Sequence, residues 1–392
     1  MEVDKKSSNF LKGIKPYIFA EVDKLRDKLR AEGKDIIDFG VGDPTEPTPQ
    51  FIRDACKTAI DKRAQSGYPP YEGTKEYKLA VAEWFKRRFG VSLDAEKEIT
   101  AIIGAKQEVF MLPIAFVNAG DVVLIPDPGY PAYTTGAKCC SARVHHMPLT
   151  ESNNFLPEFE KIPEETARNA KLMWINYPNN PTTRVAPKDF LKSAVDFCID
   201  HDILLASDEA YSEMYYDEKP LSIMQIKNAY EVSIVINSMS KRSNMTGWRI
   251  GFAAGRPELV EIFQKLQKNV HSGIATFIQD AAVAALSDEK HVEQMRNLYK
   301  QKREILVEAL TDAGFPRYYA EGTFYIWAKV PEGYDSQNAV KHLLEKSQII
   351  CSPGTGFSYG EPPNGEGFVR FALVPSVEHT KEAAEKIRNL KF

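Results

Sequence analysis

Short apolar runs alternate with amphipathic stretches through the middle of the chain. Residues 100–103, 121–125, 143–148, 171–176, 203–207, 233–237 and 250–254 read as strands. Several are apolar nearly throughout, the pattern of strands covered on both faces. Between them, residues 187–200 place Phe190, Leu191, Ala194, Val195, Phe197 and Cys198 at helical spacing, and Pro187 suits a helix start. Strands and helices alternating in this way predict an α/β domain with a mainly parallel sheet.

The texture changes after about Ser287. Residues 289–312 read as one long polar helix stopped by Gly314. Short strands at 324–330 and 367–373 then mix with helices at 336–346 and 377–390, which predicts a smaller α+β domain. The expected division is 46–286 for the large domain and 1–45 with 287–392 for the small one. The N-terminal arm is expected to join the small domain or reach a partner subunit.

Composition narrows the function classes. The chain has 392 residues, enough for one large domain and a companion. A formal net charge of −4 gives no basic field for nucleic acid. The five cysteines form no CxxC pair, and His145-His146 lacks metal-ligand spacing, so neither a disulfide framework nor a metal site is expected. The first residues do not read as a signal peptide, and no apolar run approaches a membrane span. A cytoplasmic protein is the expectation. The sequon Asn244-Met245-Thr246 is discounted for the same reason, and Lys86-Arg87-Arg88 reads as a solvated helix face.

The chemistry gathers at predicted strand ends, where an α/β sheet builds its site. The run Ser238-Met239-Ser240-Lys241-Arg242 closes an apolar strand, and Gly247-Trp248-Arg249 follows. A lysine seated there, with its pKa lowered by desolvation and by the charge of Arg242 and Arg249, suits imine chemistry. The serines and Arg249 suit a phosphate. Together they suggest pyridoxal 5'-phosphate. Asp208, at the tip of the run 203–207, suits a protonated ring nitrogen, although a strand-end aspartate is often only a helix cap. Tyr211 and Asn180 are placed to reach a phenolic oxygen, and Tyr130 to stack on a ring. Gly104-Ala105-Lys106 precedes an apolar helical pattern at 109–117, whose first amides suit an anion. Arg370, flanked by apolar strand residues, suits a substrate carboxylate, with a structural salt bridge as the ordinary alternative.

These motifs, in this order from about Tyr17 to the C-terminus, resemble the fold-type I, class I/II aminotransferases. The resemblance implies a homodimer with shared active sites and amino-acid and 2-oxo-acid substrates. By motif match it implies Lys241 as the imine-forming lysine, with Asp208, Tyr211, Asn180 and Tyr130 around the ring. Ala105, Lys106, Ser238, Ser240 and Arg249 are implied around the phosphate, and Tyr68 at the phosphate of the neighbouring subunit. Tyr17, Gly42, Lys106, Tyr130, Asn180 and Arg370 are implied to face substrate. One departure stands out: the family's Asn-Pro-Thr-Gly is here Asn180-Pro181-Thr182-Thr183. A threonine tolerates positive φ poorly, so the turn is expected to differ.

Within that family the chain is most similar to the LL-diaminopimelate aminotransferases of lysine biosynthesis. The segments Lys15-Pro16-Tyr17-Ile18-Phe19-Ala20 and Thr323-Phe324-Tyr325-Ile326-Trp327 carry the similarity. Resemblance to N-succinyldiaminopimelate aminotransferases (through Ser240-Lys241-Arg242-Ser243-Asn244), aspartate- or alanine-type transfer, a C–S lyase and a ligand-sensing regulator remain as alternatives.

Overall fold

The computed structural model describes residues 6–14 and 18–392. Its strands in chain order are β1 (Ile37–Asp38), β2 (Ile99–Ile102), β3 (Val122–Asp127), β4 (Arg143–Pro148), β5 (Ala170–Asn176) and β6 (Leu204–Asp208). They continue with β7 (Ser233–Ser238), β8 (Gly251–Gly255), β9 (Tyr325–Lys329), β10 (Ile349–Ile350), β11 (Ser352–Pro353) and β12 (Phe368–Ala372). Seven of them form one sheet in the order β2-β8-β7-β6-β5-β3-β4. Neighbours from β7 to β4 run parallel, and β8 alone is antiparallel to both its partners.

The unbroken apolar runs follow from burial on both faces. Along β5, Leu172 and Trp174 enter one core while Met173 and Ile175 enter the other. Along β7, Ile234 and Ile236 face one way and Val235 the other. Each such side chain removed from water contributes roughly 1.5–3 kcal/mol. The edge strand β4 has little to cover it and is mostly half-exposed. The helix Lys188–Asp200 starts after Pro187 and buries Phe190, Leu191, Ala194, Val195 and Cys198 against the sheet.

A separate core is built on β9 and β12, which with β11 form a three-stranded antiparallel sheet. Leu306 and Leu310 of the long helix Lys290–Asp312 pack there. So does Ile37 of β1, which pairs in parallel with β10. The sheet and the first segment of chain thus share one body of packed side chains.

Lys86-Arg87-Arg88 corrects an expectation. Only Lys86 and Arg87 are exposed. Arg88 turns inward, donating from Nε to Glu213 Oε1 at 2.7 Å and from Nη2 to the carbonyls of Ser212 and Pro220. Glu213 is 3% exposed, and a buried carboxylate needs such a partner. No helix among the described residues is long and apolar enough to cross a membrane.

Candidate active site

The ends of β5, β6 and β7 and the helix that follows β2 converge on a cavity of about 480 Å³. Twelve of the fourteen residues expected at a site line it. Tyr17 lies outside the described residues. Tyr68 is 87% exposed and does not line this cavity.

Lys241 sits in a single helical turn, Met239–Arg242, whose cap is the Ser238 hydroxyl accepting from the Ser240 amide at 3.1 Å. Its Nζ donates to the Gly42 carbonyl at 3.0 Å. Burial, assisted by the positive charge of Arg370 and Arg249 and opposed by Asp43, pushes its pKa down to about 8. Arg242 takes no part in this, contrary to expectation. It points away from the cavity and pairs with Glu289 at 2.8 Å and the Ala285 carbonyl at 3.0 Å.

Asp208 closes β6 with both oxygens engaged. Oδ2 accepts the Tyr133 hydroxyl at 2.7 Å and Oδ1 the Ala210 amide at 3.1 Å. Burial pushes its pKa up and these two bonds oppose the rise. Tyr133 is fully buried and stacks on Trp174, with ring centroids 4.8 Å apart. The next residue, Glu209, has a different setting. Its Oε1 accepts from the Ser207 hydroxyl, the Ser222 hydroxyl and the Ile223 amide, while its buried Oε2 has no hydrogen-bond partner. Burial pushes this carboxyl up to about 7.

Asn180 is fixed by its neighbours. Its amide donates to Asn176 Oδ1 at 2.9 Å, and its Oδ1 accepts from Arg370 Nη1 at 2.9 Å. Asn176 in turn donates to the Asp208 carbonyl, which ties this turn to β6. Thr183 adopts positive φ despite its branched side chain. Its backbone is left-handed, φ +65°, and it is fully buried. The bonds from its amide to the Asn179 carbonyl (2.8 Å) and from the Gly322 amide to its own carbonyl (3.0 Å) hold it there. Such a conformation costs a β-branched residue on the order of 1–3 kcal/mol.

At the other end of the cavity the helix Ala105–Phe116 begins four residues earlier than its apolar pattern implied. Gly104 caps it at φ +73°, and a Cβ there would lie 2.3 Å from Arg249 Nη2. Arg249 donates to the Thr246 carbonyl at 2.7 Å and the Ile103 carbonyl at 3.5 Å. Among the described residues no carboxylate forms an ion pair with it. Helix-start amides, the Ser238 and Ser240 hydroxyls and this guanidinium make an end suited to a doubly charged anion.

Arg370 projects from β12 and is 1% exposed. Nη2 donates to the Gly40 carbonyl at 2.9 Å. Its guanidinium carbon lies 4.2 Å from the Tyr325 ring centre and 4.4 Å from that of Phe357. Tyr130, at the start of the helix Pro131–Cys139, meets Tyr133 edge-on at 5.9 Å. Reasoning from sequence missed six lining residues, Val41, Tyr133, Asn176, Ala210, Thr246 and Tyr325. Asn176 had a signal, since it ends a predicted strand just before the asparagine-proline turn, and Tyr325 lies in a segment that carries the family similarity.

Comparison with known proteins identifies the family. A family model described as aminotransferase class I and II matches residues 34–387. A curated LL-diaminopimelate aminotransferase of Aquifex aeolicus is 46% identical over 387 residues, 98% of this chain and 99% of its own. Its counterpart in Halothermothrix orenii is 45% identical over 386 residues, 97% of this chain and 98% of its own. Among solved structures, substrate-bound BacF from Bacillus subtilis superposes with a TM-score of 0.91 at 34% identity, covering 100% of this chain and 99% of its own. A probable N-succinyldiaminopimelate aminotransferase from Thermus thermophilus gives 0.88 at 30% identity, covering 95% and 99%. A family model that spans most of the chain, and relatives at 45–46% identity that span nearly all of it, show that the chain belongs to the class I and II aminotransferases.

Proposed function

We propose that this aminotransferase uses pyridoxal 5'-phosphate to move an amino group from LL-diaminopimelate to 2-oxoglutarate. The observation that carries the coenzyme assignment is Lys241, an amine of pKa about 8 in a cavity whose far end is an anion cradle. The substrate assignment rests on relatives of that name at 45–46% identity over nearly the whole chain.

The donor set fits the coenzyme. The Ala105 and Lys106 amides, Ser238, Ser240 and Arg249 would hold the phosphate. Asp208 would face the ring nitrogen, Tyr211 and Asn180 the phenolic oxygen, and Tyr130 the ring face. Bound there, the coenzyme supplies an electron sink for the carbon that carries the substrate's amino group. Lys241 Nζ would be the group that moves the proton of that carbon, and its pKa of about 8 in the chain without coenzyme is near neutral pH, as a base that must also give its proton back requires. Arg370 offers a carboxylate two parallel N–H donors. Gly42 would face the substrate through its backbone, and Lys106 and Tyr17 are the candidates for the distal end of diaminopimelate.

We assign residues 46–286 to the coenzyme-binding domain and 1–45 with 287–392 to the domain that carries Arg370. A homodimer in the cytoplasm is part of the same reading, with Tyr68 reaching the partner's phosphate.

The deciding experiment is a panel of amino donors with 2-oxoglutarate, ranked by kcat/KM. LL-diaminopimelate is expected to lead. A lead for aspartate, alanine or the N-succinyl donor overturns the substrate. A colourless protein that takes up no pyridoxal phosphate, with no borohydride-fixed adduct on Lys241, overturns the coenzyme.

A further inference from the structure

Tyr325 stands where three parts of the site meet. It begins β9, opposite Ala372 and two residues along from the pairing of Trp327 with Arg370. Its hydroxyl lies 3.1 Å from that of Tyr211, and both side chains are buried. Its ring lies under the Arg370 guanidinium at 4.2 Å, within cation–π range. A Cβ on Gly42 would lie within 3 Å of its ring and hydroxyl. Gly42 therefore has no side chain because Tyr325 occupies that space. The same Gly42 receives the Lys241 amine on its carbonyl.

The direction of the Tyr211–Tyr325 bond follows from counting protons. A phenol has one hydrogen to give. For Tyr211 to donate to an oxygen in the cavity, it must accept from Tyr325. A hydroxyl that accepts one bond also donates more strongly to the next.

We propose that Tyr325 is a positioning residue: its hydroxyl aims the Tyr211 proton at the coenzyme's phenolic oxygen, and its ring fixes the Arg370 guanidinium that grips the substrate carboxylate. One side chain thereby couples the two halves of the site. This rests on the coenzyme reading above.

The test uses holoenzyme and coenzyme-depleted protein of wild type, Tyr325→Phe, Tyr211→Phe, the double variant and Tyr325→Leu. Wild type is first shown to bind pyridoxal phosphate, so failure of the coenzyme reading is seen separately. Tyr325→Phe keeps the ring and loses the hydroxyl. It is expected to move the absorbance pH titration of the lysine-bound coenzyme upward by about half a unit, because a weaker donor leaves more negative charge on the phenolic oxygen. KM for the amino donor is expected to change less than about twofold, since the ring over Arg370 remains. In the Tyr211→Phe background the same change is expected to shift the titration by less than about 0.1 unit. Tyr325→Leu is expected to raise KM about tenfold. A Tyr325→Phe titration equal to wild type, or an undiminished shift in the Tyr211→Phe background, overturns the proposal. If Tyr325→Leu fails to fold, the phenylalanine cycle decides alone.

Discussion

The Lys241 amine and the Gly42 carbonyl are joined by a hydrogen bond of 3.0 Å across 199 positions of sequence. That contact holds the amine in the cavity while burial disfavours its charged form. With a pKa of about 8, ~10% of the amine is neutral at pH 7, against less than ~0.1% for an ordinary lysine. The coenzyme-free protein is therefore expected to form a borohydride-fixable bond with pyridoxal phosphate at a rate that climbs through pH 8 and then levels. The adduct is counted by mass spectrometry after quenching at intervals. A rate still climbing in proportion to hydroxide at pH 10 contradicts this.

The Tyr133 hydroxyl donates a hydrogen bond to Asp208 Oδ2 at 2.7 Å, and Asp208 must stay ionised to favour a protonated ring nitrogen. Loss of a hydrogen bond to a charged group costs about 1.5 kcal/mol, roughly tenfold in affinity. Tyr133→Phe is expected to raise the dissociation constant for pyridoxal phosphate by about that factor, measured by fluorescence titration of coenzyme-depleted protein. Unchanged affinity counts against a role for this bond.

Glu209 gives a stability prediction with a definite sign. Its carboxyl is held at about 7 in the folded chain against an ordinary 4.5. Between those values the folded state binds the extra proton, so the contribution of Glu209 to stability falls as pH rises through the window. Glu209→Gln cannot ionise. The unfolding free energy of the variant relative to wild type is expected to improve by on the order of 2 kcal/mol from pH 5 to pH 8. Denaturant melts at the two pH values measure it. A difference independent of pH refutes the assignment.

Thr183 reverses the usual ranking of glycine and alanine. At φ +65° a Cβ is strained, and glycine is not. Thr183→Gly is expected to be more stable than Thr183→Ala by about 1 kcal/mol, although glycine is normally the less stable of the two. Thermal melts of the pair settle the order.

The legible parts of the molecule were those where one residue type has few other uses. Two-sided burial made β5 and β7 readable as unbroken apolar runs. A lysine among hydroxyls at a strand end has few structural roles, so Lys241 stood out. Tyr133 and Tyr325 did not, because a tyrosine inside a packed element looks the same whether or not its hydroxyl has work to do. Arg88 and Arg242 were misplaced for a related reason. Neighbours in sequence are not neighbours in space: Arg88 meets Glu213, 125 positions on, and Arg242 meets Glu289. Thr183 shows the opposite error, where local preference is overruled by hydrogen bonds that the surrounding structure imposes.

The pairing of β1 with β10 joins residues 37–38 to residues 349–350. A ribosome delivers the first of these long before the second. Ile37 cannot pair with β10 until then, and the seven strands between residues 99 and 255 are all delivered before that pairing. The carbonyls of Gly40 and Gly42, which receive Arg370 and Lys241, belong to that waiting segment. The nascent protein can therefore shape most of the anion cradle before it can grip a carboxylate, because Arg370 follows every strand of the large sheet.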